Sequence, residues 1–397
     1  MLPVVTLKSR RAQPFFNRHP WVFAGAIART KDDPIAGAEV RVHDHEGRFI
    51  ARGLFNPQSN IRVRLYSWDE HEALDQTFWS ARLDEAIALR KTLFPKWTAE
   101  SACRLVYSEA DGLSGLVVER YGDWLVVQFT SLALSQRQEM FVRLLTEKLQ
   151  PRGIQLRTEK GIRELEGLEQ TDGLLSGDPP PRPMFIEENG LRFGVDLTEG
   201  QKTGYYLDQR DNRAAAARYM AGHRVLDMFC YGGGFGLAAL KLGGAKFVQG
   251  VDVSASAITL AEGNAELNSL ADHCRFEKAK AFDELERLVA AEEKFDTVIL
   301  DPPKLARHRG GLNKALRGYH SLNRLAVDLI PPGGILVTCS CSGLVGRPEF
   351  EGMLADVATK SNRRIRILES RSAAADHPTS VHCFETDYLK CYICRVD

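Results

Sequence analysis

The chain has 397 residues, 44% of them hydrophobic, and 52 basic residues against 52 acidic ones. That length exceeds one ordinary core and predicts two or three domains, and the balanced charge gives no global electrostatic case for nucleic acid. Eight cysteines are too few for a disulfide scaffold, and no run of eighteen apolar residues or N-terminal leader occurs, which predicts a soluble cytoplasmic protein with no membrane partner.

Residues 1–70 read as a compact, mostly β module holding 11 Lys or Arg against 7 Asp or Glu. Segments 39–43 and 48–53 flank the turn Asp44-His-Glu-Gly47, and 61–66 alternates apolar and basic residues at the strand period. That alternation predicts Ile61, Val63 and Leu65 inward, Arg62 and Arg64 outward. Arg10, Arg11, His19, Trp21, Arg52 and the turn at Asn56-Pro57 supply cationic and aromatic groups suited to phosphates and bases; an ordinary barrel surface explains them equally well.

Residues 71–185 read as a central α+β domain. A helical period runs through 71–93 with Phe78, Leu83, Ile87 and Leu89, stopping near Pro95. Strands follow around the turns at Asp111-Gly-Leu-Ser-Gly115 and Tyr121-Gly-Asp123, then a helix over 136–149. The stretch Gly177-Asp-Pro-Pro-Pro-Arg-Pro183 reads as a linker, because consecutive prolines enter neither helix nor central strand.

The remainder, 186–397, opens with a hairpin signal at 187–195 and a glycine-bracketed loop, Gly200-Gln-Lys-Thr-Gly-Tyr-Tyr-Leu-Asp208-Gln-Arg210, that leads into a helix. From Arg224 strands and helices alternate: strands over 224–229, 246–251, 274–277, 295–300 and 335–339, helices over 235–242, 255–269, 282–291 and 318–329. A helix at 348–360 and strands at 364–369 and 388–395 complete seven strands, the last antiparallel. This predicts an α/β, doubly wound sheet with a parallel core.

Three clusters carry chemistry. Asp227-Met-Phe-Cys-Tyr231-Gly232-Gly-Gly234-Phe-Gly236 follows a strand and opens a helix, a setting in which glycines bring the backbone close to a ligand. Asp252 ends the next strand sixteen residues after Gly236, where a carboxylate can take ribose hydroxyls. A dinucleotide loop wants glycine at position 237, which is Leu, and Asp227 would repel a pyrophosphate while accepting from an ammonium; both favour S-adenosylmethionine over NAD. Further on, Asp301-Pro302-Pro303-Lys304 ends a strand on a stiff turn able to hydrogen-bond a planar base, and Thr338-Cys339-Ser340-Cys341-Ser342-Gly343 ends another on thiols. Cys391 and Cys394 form a CxxC without a second pair; they read as strand packing, and no metal is expected.

Over nearly its whole length the sequence resembles the bacterial large-subunit ribosomal RNA cytosine-C5 methyltransferases of the methyltransferase I type. The likeness lies in His19-Pro-Trp-Val-Phe-Ala-Gly, Asp111-Gly-Leu-Ser-Gly, Arg120-Tyr-Gly, the segment from Gly200 to Arg213, Asp301-Pro-Pro-Lys, Cys339-Ser-Cys-Ser-Gly343 and Ala375-Asp-His-Pro378. It implies a PUA-like RNA-binding β-barrel at the N-terminus and a Rossmann-like class I methyltransferase at the C-terminus. The product would be 5-methylcytosine in 23S ribosomal RNA, and association of two chains stays open. The family's nucleophile falls on Cys341, with Asp301 orienting the cytosine. The implied cofactor set is Asp227, Phe229, Tyr231, Gly232, Gly234, Asp252 and Asp208; the implied substrate set is Pro302, Pro303, Lys304, Arg210 and Lys202. Relatives carry an adenine-contacting acid where this chain has Ala279 and Lys280, and some RNA cytosine-C5 methyltransferases have a second cysteine where Lys304 stands. Two other readings remain at this stage: methylation of uracil C5 or a guanine nitrogen, and a non-catalytic RNA-binding ribosome-assembly factor.

Overall fold

The computed structural model describes residues 2–198, 204–306 and 309–397; the expectation for Lys202 falls outside the described residues. The chain forms two compact units, one of Met1–Ile186, Val195–Leu207 and Asp376–Thr386, the other of Glu187–Gly194, Asp208–Ala375 and Asp387–Asp397. Among the described residues no helix is long and apolar enough to cross a membrane.

The first unit holds two sheets. Six strands lie in the order Trp21–Phe23, Ile61–Ser67, Phe49–Phe55, Glu39–His43, Val4–Leu7, Ile27–Lys31, around Val5, Leu7, Val22, Val40, Val42, Ile50, Val63 and Leu65. The turn at Asp44 forms as its sequence predicts, because the Asp44 carboxylate accepts the amides of Glu46 and Arg48, each at 2.9 Å. Five more strands run Gly173–Gly177, Gly153–Leu156, Trp124–Phe129, Leu116–Tyr121, Ala102–Tyr107, with helices Gln76–Leu93 and Gln138–Leu149 contributing Phe78, Trp79, Leu83, Phe141 and Leu145 to one core. Asp75 caps the first of these helices by accepting the Phe78 amide at 3.0 Å.

One expectation for the N-terminal module is overturned. Arg64 does not point into solvent: it is buried, donating to Glu109 and Glu166, each at 3.1 Å, to Ser114 at 3.1 Å and to the Thr130 carbonyl at 3.2 Å. The period-2 reading assumes a strand with one wet face. Here the second face of Ile61–Ser67 is covered by residues 109–166 of the same unit, so the arginine reaches two buried carboxylates. Other polar groups expected to meet RNA are also engaged within this unit. Arg52 pairs with Glu39 at 2.7 Å, Trp21 donates to Glu109 at 2.9 Å, and Asn56 donates to the Glu166 carbonyl at 3.0 Å. Arg10 and Arg11 remain exposed.

The second unit carries a seven-stranded sheet. Its strands are β1 (Arg224–Met228), β2 (Phe247–Asp252), β3 (Cys274–Lys278), β4 (Thr297–Leu300), β5 (Gly334–Ser340), β6 (Ile365–Arg371) and β7 (Lys390–Val396), in the order β3-β2-β1-β4-β5-β7-β6. The first five are mutually parallel, and β7 runs antiparallel to both β5 and β6. The helices are α1 (Arg210–Ala217), α2 (Gly234–Lys241), α3 (Ala255–Leu267), α4 (Ala281–Ala290), α5 (Leu312–Leu329) and α6 (Arg347–Lys360). Helix α5 begins six residues before the expected start at 318. Central strands such as Thr297–Leu300 are buried at every position because helices cover both faces. Cys391 and Cys394 are fully buried in β7, packed as the sequence suggests. The strand order reverses between β1 and β4, and at that switch point the carboxyl ends of neighbouring strands open a crevice.

Candidate functional site

Every described candidate of the second unit lies at or beside the carboxyl ends of β1, β2, β4 and β5, or on the segment entering α1. Strand β1 delivers Asp227 and then turns through residues with positive φ: Phe229 at 62°, Tyr231 at 46° and Gly233 at 80°. Two bulky residues in the left-handed region cost on the order of 1–3 kcal/mol each, the kind of strain found where a backbone is shaped for a ligand. The glycines stand where the packing leaves no room for a side chain. A Cβ at Gly232 would come within 3.2 Å of Asn264, one at Gly234 within 2.7 Å of the Arg213 Nε, and one at Gly236 within 2.7 Å of the Val248 Cγ1. Helix α2 thus packs directly on β2, and the loop is held from below by Asn264, which donates to the Gly232 carbonyl at 2.9 Å.

Asp227 is buried, and its Oδ2 accepts the Gly236 amide at 2.9 Å. Burial pushes its carboxyl up to about 7; the Gly236 amide opposes that rise, the charge of Asp301 adds to it, Arg213 opposes it and Asp252 adds to it. A buried acid in this state gains from a neighbouring cation. Asp252 is only partly buried; it accepts the Tyr231 amide at 3.0 Å and the Ser254 amide at 2.9 Å, which pins the end of β2 to the glycine loop. Asp208 is buried and takes a short hydrogen bond from the Tyr388 hydroxyl. Arg210 opens α1 half-buried, its carbonyl accepting from Asn189 at 3.3 Å.

Beyond β4, Asp301 is half-buried, Pro302 buried, and Pro303 and Lys304 exposed. The Cys341 thiol faces this turn, its Sγ donating to the Pro302 carbonyl at 3.8 Å. Register brings the two together: β4 and β5 are parallel neighbours, with Leu300 opposite Thr338. Of the two cysteines in this stretch, Cys339 is fully buried against β7, opposite Cys391. Its thiol is pushed well up, first by the hydrogen bond with Cys391 and then by burial. Cys341 is half-exposed.

At the end of β3, Lys280 is exposed and the Ala279 amide donates to the Asp252 carbonyl at 3.0 Å; Asp283 is exposed on α4. The sequence reading missed Lys390, a buried lysine at the start of β7 whose Nζ donates to the Ser342 carbonyl at 2.8 Å. Its only signal was a cation inside an apolar final strand. Two motifs that carry the resemblance serve packing in the first unit instead. Asp111 holds the buried Arg90 at 2.6 and 2.8 Å, and Asp376 accepts the Arg104 amide at 2.9 Å while its carbonyl accepts from Arg90, also at 2.9 Å.

A family model described as a PUA-like domain matches residues 5–68, and one described as an S-adenosylmethionine-dependent methyltransferase matches residues 169–379. The chain is 43% identical over 397 residues to the ribosomal RNA large subunit methyltransferase I of Tolumonas auensis, with 100% of each chain covered. It is 41% identical over 398 residues to the protein of that name in Photobacterium profundum, again with 100% of each covered. Among solved structures, a putative SAM-dependent methyltransferase from Streptococcus mutans superposes with a TM-score of 0.86 at 19% identity, covering 100% of both chains. At that identity the match bears on the fold alone.

Proposed function

Because the chain belongs to the S-adenosylmethionine-dependent methyltransferases, in the ribosomal RNA large subunit methyltransferase I family, we propose that it methylates C5 of a cytosine in 23S ribosomal RNA through a covalent adduct on Cys341. The observation that carries this reading is the half-exposed Cys341 thiol facing the Asp301-Pro302-Pro303 turn, with Sγ 3.8 Å from the Pro302 carbonyl. A turn that offers a carboxylate and carbonyls can hold the Watson–Crick edge of a base, and a thiol facing that turn can reach the ring.

In this mechanism Cys341 adds as thiolate to C6, and the electron pair of the C5–C6 double bond moves to C5. Asp301 orients the cytosine through N3 and the exocyclic amine, and Pro302 and Pro303 keep the turn rigid. Arg210 or Lys304 anchors phosphate, and Lys202 is a further substrate contact that the resemblance implies. When bound, S-adenosylmethionine supplies an electrophilic methyl group as a sulfonium and becomes a neutral thioether. Loss of the C5 proton to a base then returns the electron pair to the ring and expels the Cys341 thiolate.

The site fits the cofactor on its own terms. The loop from Phe229 through Tyr231 to Gly234 is strained and closely packed on its protein side, Asp227 lies buried where an ammonium would relieve it, and Asp252, at the end of β2, offers a carboxylate that would take ribose hydroxyls. Asp208, whose carboxylate accepts from Tyr388, is the further cofactor contact that the resemblance implies. Exposed Arg10 and Arg11, in the turn that follows the Val4–Leu7 strand, provide phosphate contacts. We place the protein in the cytoplasm, where its ribosomal substrate is made, and divide it into an RNA-binding part at 1–70, a central part at 71–185 and the methyltransferase part at 186–397.

The test is methyl transfer to 23S RNA from a strain lacking the gene. Wild-type protein is expected to add one methyl group to a cytosine and to form a covalent adduct with 5-fluorocytosine RNA. Cys341→Ala is expected to do neither while still binding S-adenosylmethionine; full activity of that variant refutes the covalent mechanism.

A further inference from the structure

Lys390 is the first residue of β7 and stands opposite Ser340, the last residue of β5. It is 2% exposed, and its Nζ donates to the Ser342 carbonyl at 2.8 Å and the Tyr388 carbonyl at 2.7 Å. Taking a lysine so far from water is costly, and an apolar side chain of similar volume would pack there without that penalty. What it fastens is the tripeptide carrying the proposed nucleophile. Ser340 donates to the Tyr319 hydroxyl at 3.0 Å, Tyr319 and the Ser342 hydroxyl lie 3.1 Å apart, and Ser342 accepts the Ala306 amide at 3.2 Å. Both neighbours of Cys341 are thereby buried and fixed, while Cys341 itself stays half-exposed.

We propose that Lys390 is a positioning residue for Cys341, its ammonium fixing the Ser340–Ser342 turn through the carbonyl of Ser342, the residue after the thiol, and so bringing a positive charge to the turn that carries it. The proposal rests on the reading of Cys341 as the nucleophile. Burial lowers the Lys390 ammonium to about 8; Asp387 and then Cys341 favour its charged form, Arg347 opposes it and Glu349 favours it. At pH 7 the cation therefore still predominates. By reciprocity, a cation favoured by the Cys341 thiolate favours that thiolate in turn.

The test is the rate of iodoacetamide alkylation read on the Cys341 peptide by mass spectrometry, from about pH 6 to about pH 10, a range spanning ordinary thiol titration. It needs neither RNA nor cofactor. Lys390→Met is expected to slow alkylation about tenfold at pH 7, the equivalent of one pKa unit, to lower kcat, and to leave KM for RNA and cofactor affinity unchanged. Lys390→Arg should restore part of the alkylation rate. Identical wild-type and Lys390→Met profiles overturn the proposal. Should Lys390→Met fail to bind cofactor through misfolding, the wild-type profile decides: coupling predicts two steps, the upper one as Lys390 loses its proton, and a single-step profile overturns it. If Cys341→Ala retains methyl transfer, the nucleophile reading fails, and the alkylation profiles still answer for Lys390 separately.

Discussion

Asp227 is a cofactor-site group whose chemistry the fold alters strongly, and Asp227→Asn tests that alteration. The carboxyl rises from an ordinary 3.8 to about 7, chiefly through burial. An acid raised in the folded state stays protonated there while the unfolded chain ionises, so folding stability is full at acid pH and falls as pH climbs from 4 through 7. The total loss is roughly 4 kcal/mol, of which roughly 2–3 kcal/mol falls between about pH 5 and about pH 8. Asparagine keeps an oxygen for the Gly236 amide, an interaction of 2.9 Å in the wild type, but cannot ionise. Denaturant unfolding of the cofactor-free proteins at the two pH values should therefore show the wild type losing roughly 2–3 kcal/mol more than the variant. Saturating S-adenosylmethionine should flatten the wild-type dependence, because its ammonium favours the ionised carboxylate, and calorimetry in two buffers should show a proton released on binding. Parallel pH dependences of the two cofactor-free proteins would refute the burial of a raised carboxyl at the end of β1.

Other consequences of the geometry can be measured directly. Gly236→Ala places a Cβ 2.7 Å from Val248; overpacking of this kind typically costs about 1–3 kcal/mol, and the variant should unfold at lower denaturant and bind cofactor more weakly than wild type. Arg64→Met strands Glu109 and Glu166 among buried groups; breaking such a pair by removing one partner costs roughly 3–5 kcal/mol, read as a lowered unfolding midpoint that recovers when Glu166→Gln and Glu109→Gln are added. Cys339→Ala removes a buried thiol opposite Cys391 and should keep most methyl transfer, whereas Cys341→Ala should abolish it; loss in the first variant alone would move the nucleophile by two residues.

Much of the fold is written locally. The alternation of strand-length runs with helical periods after Arg224, and the polar groups on which the central apolar runs end, mark all seven strands of the methyltransferase sheet, because alternating strands and helices have few ways to bury their faces. Asp227, the glycine loop, Asp252, Asp301 and the two cysteines could be picked out for the same reason: parallel strands deliver such groups to one edge.

What the sequence could not hold are facts that depend on distant partners. A two-residue alternation assigned Arg64 to solvent, yet the side chain is buried because residues 109–166 bring two carboxylates to it. Asp111 and Asp376 read as motif residues of equal standing with Asp301, and only the packing of Arg90 and the Arg104 amide shows them fastening a core. Cys339 and Cys341 differ by two positions in one strand end; β7, arriving from fifty residues downstream, closes over the first and leaves the second open. The same strand carries Lys390 to the turn around Cys341, where its buried ammonium donates to the Ser342 carbonyl. Local patterning determined the strands and the edge at which they end, while the environment of each side chain at that edge, and with it its protonation and reach, was decided by chain segments far away in sequence.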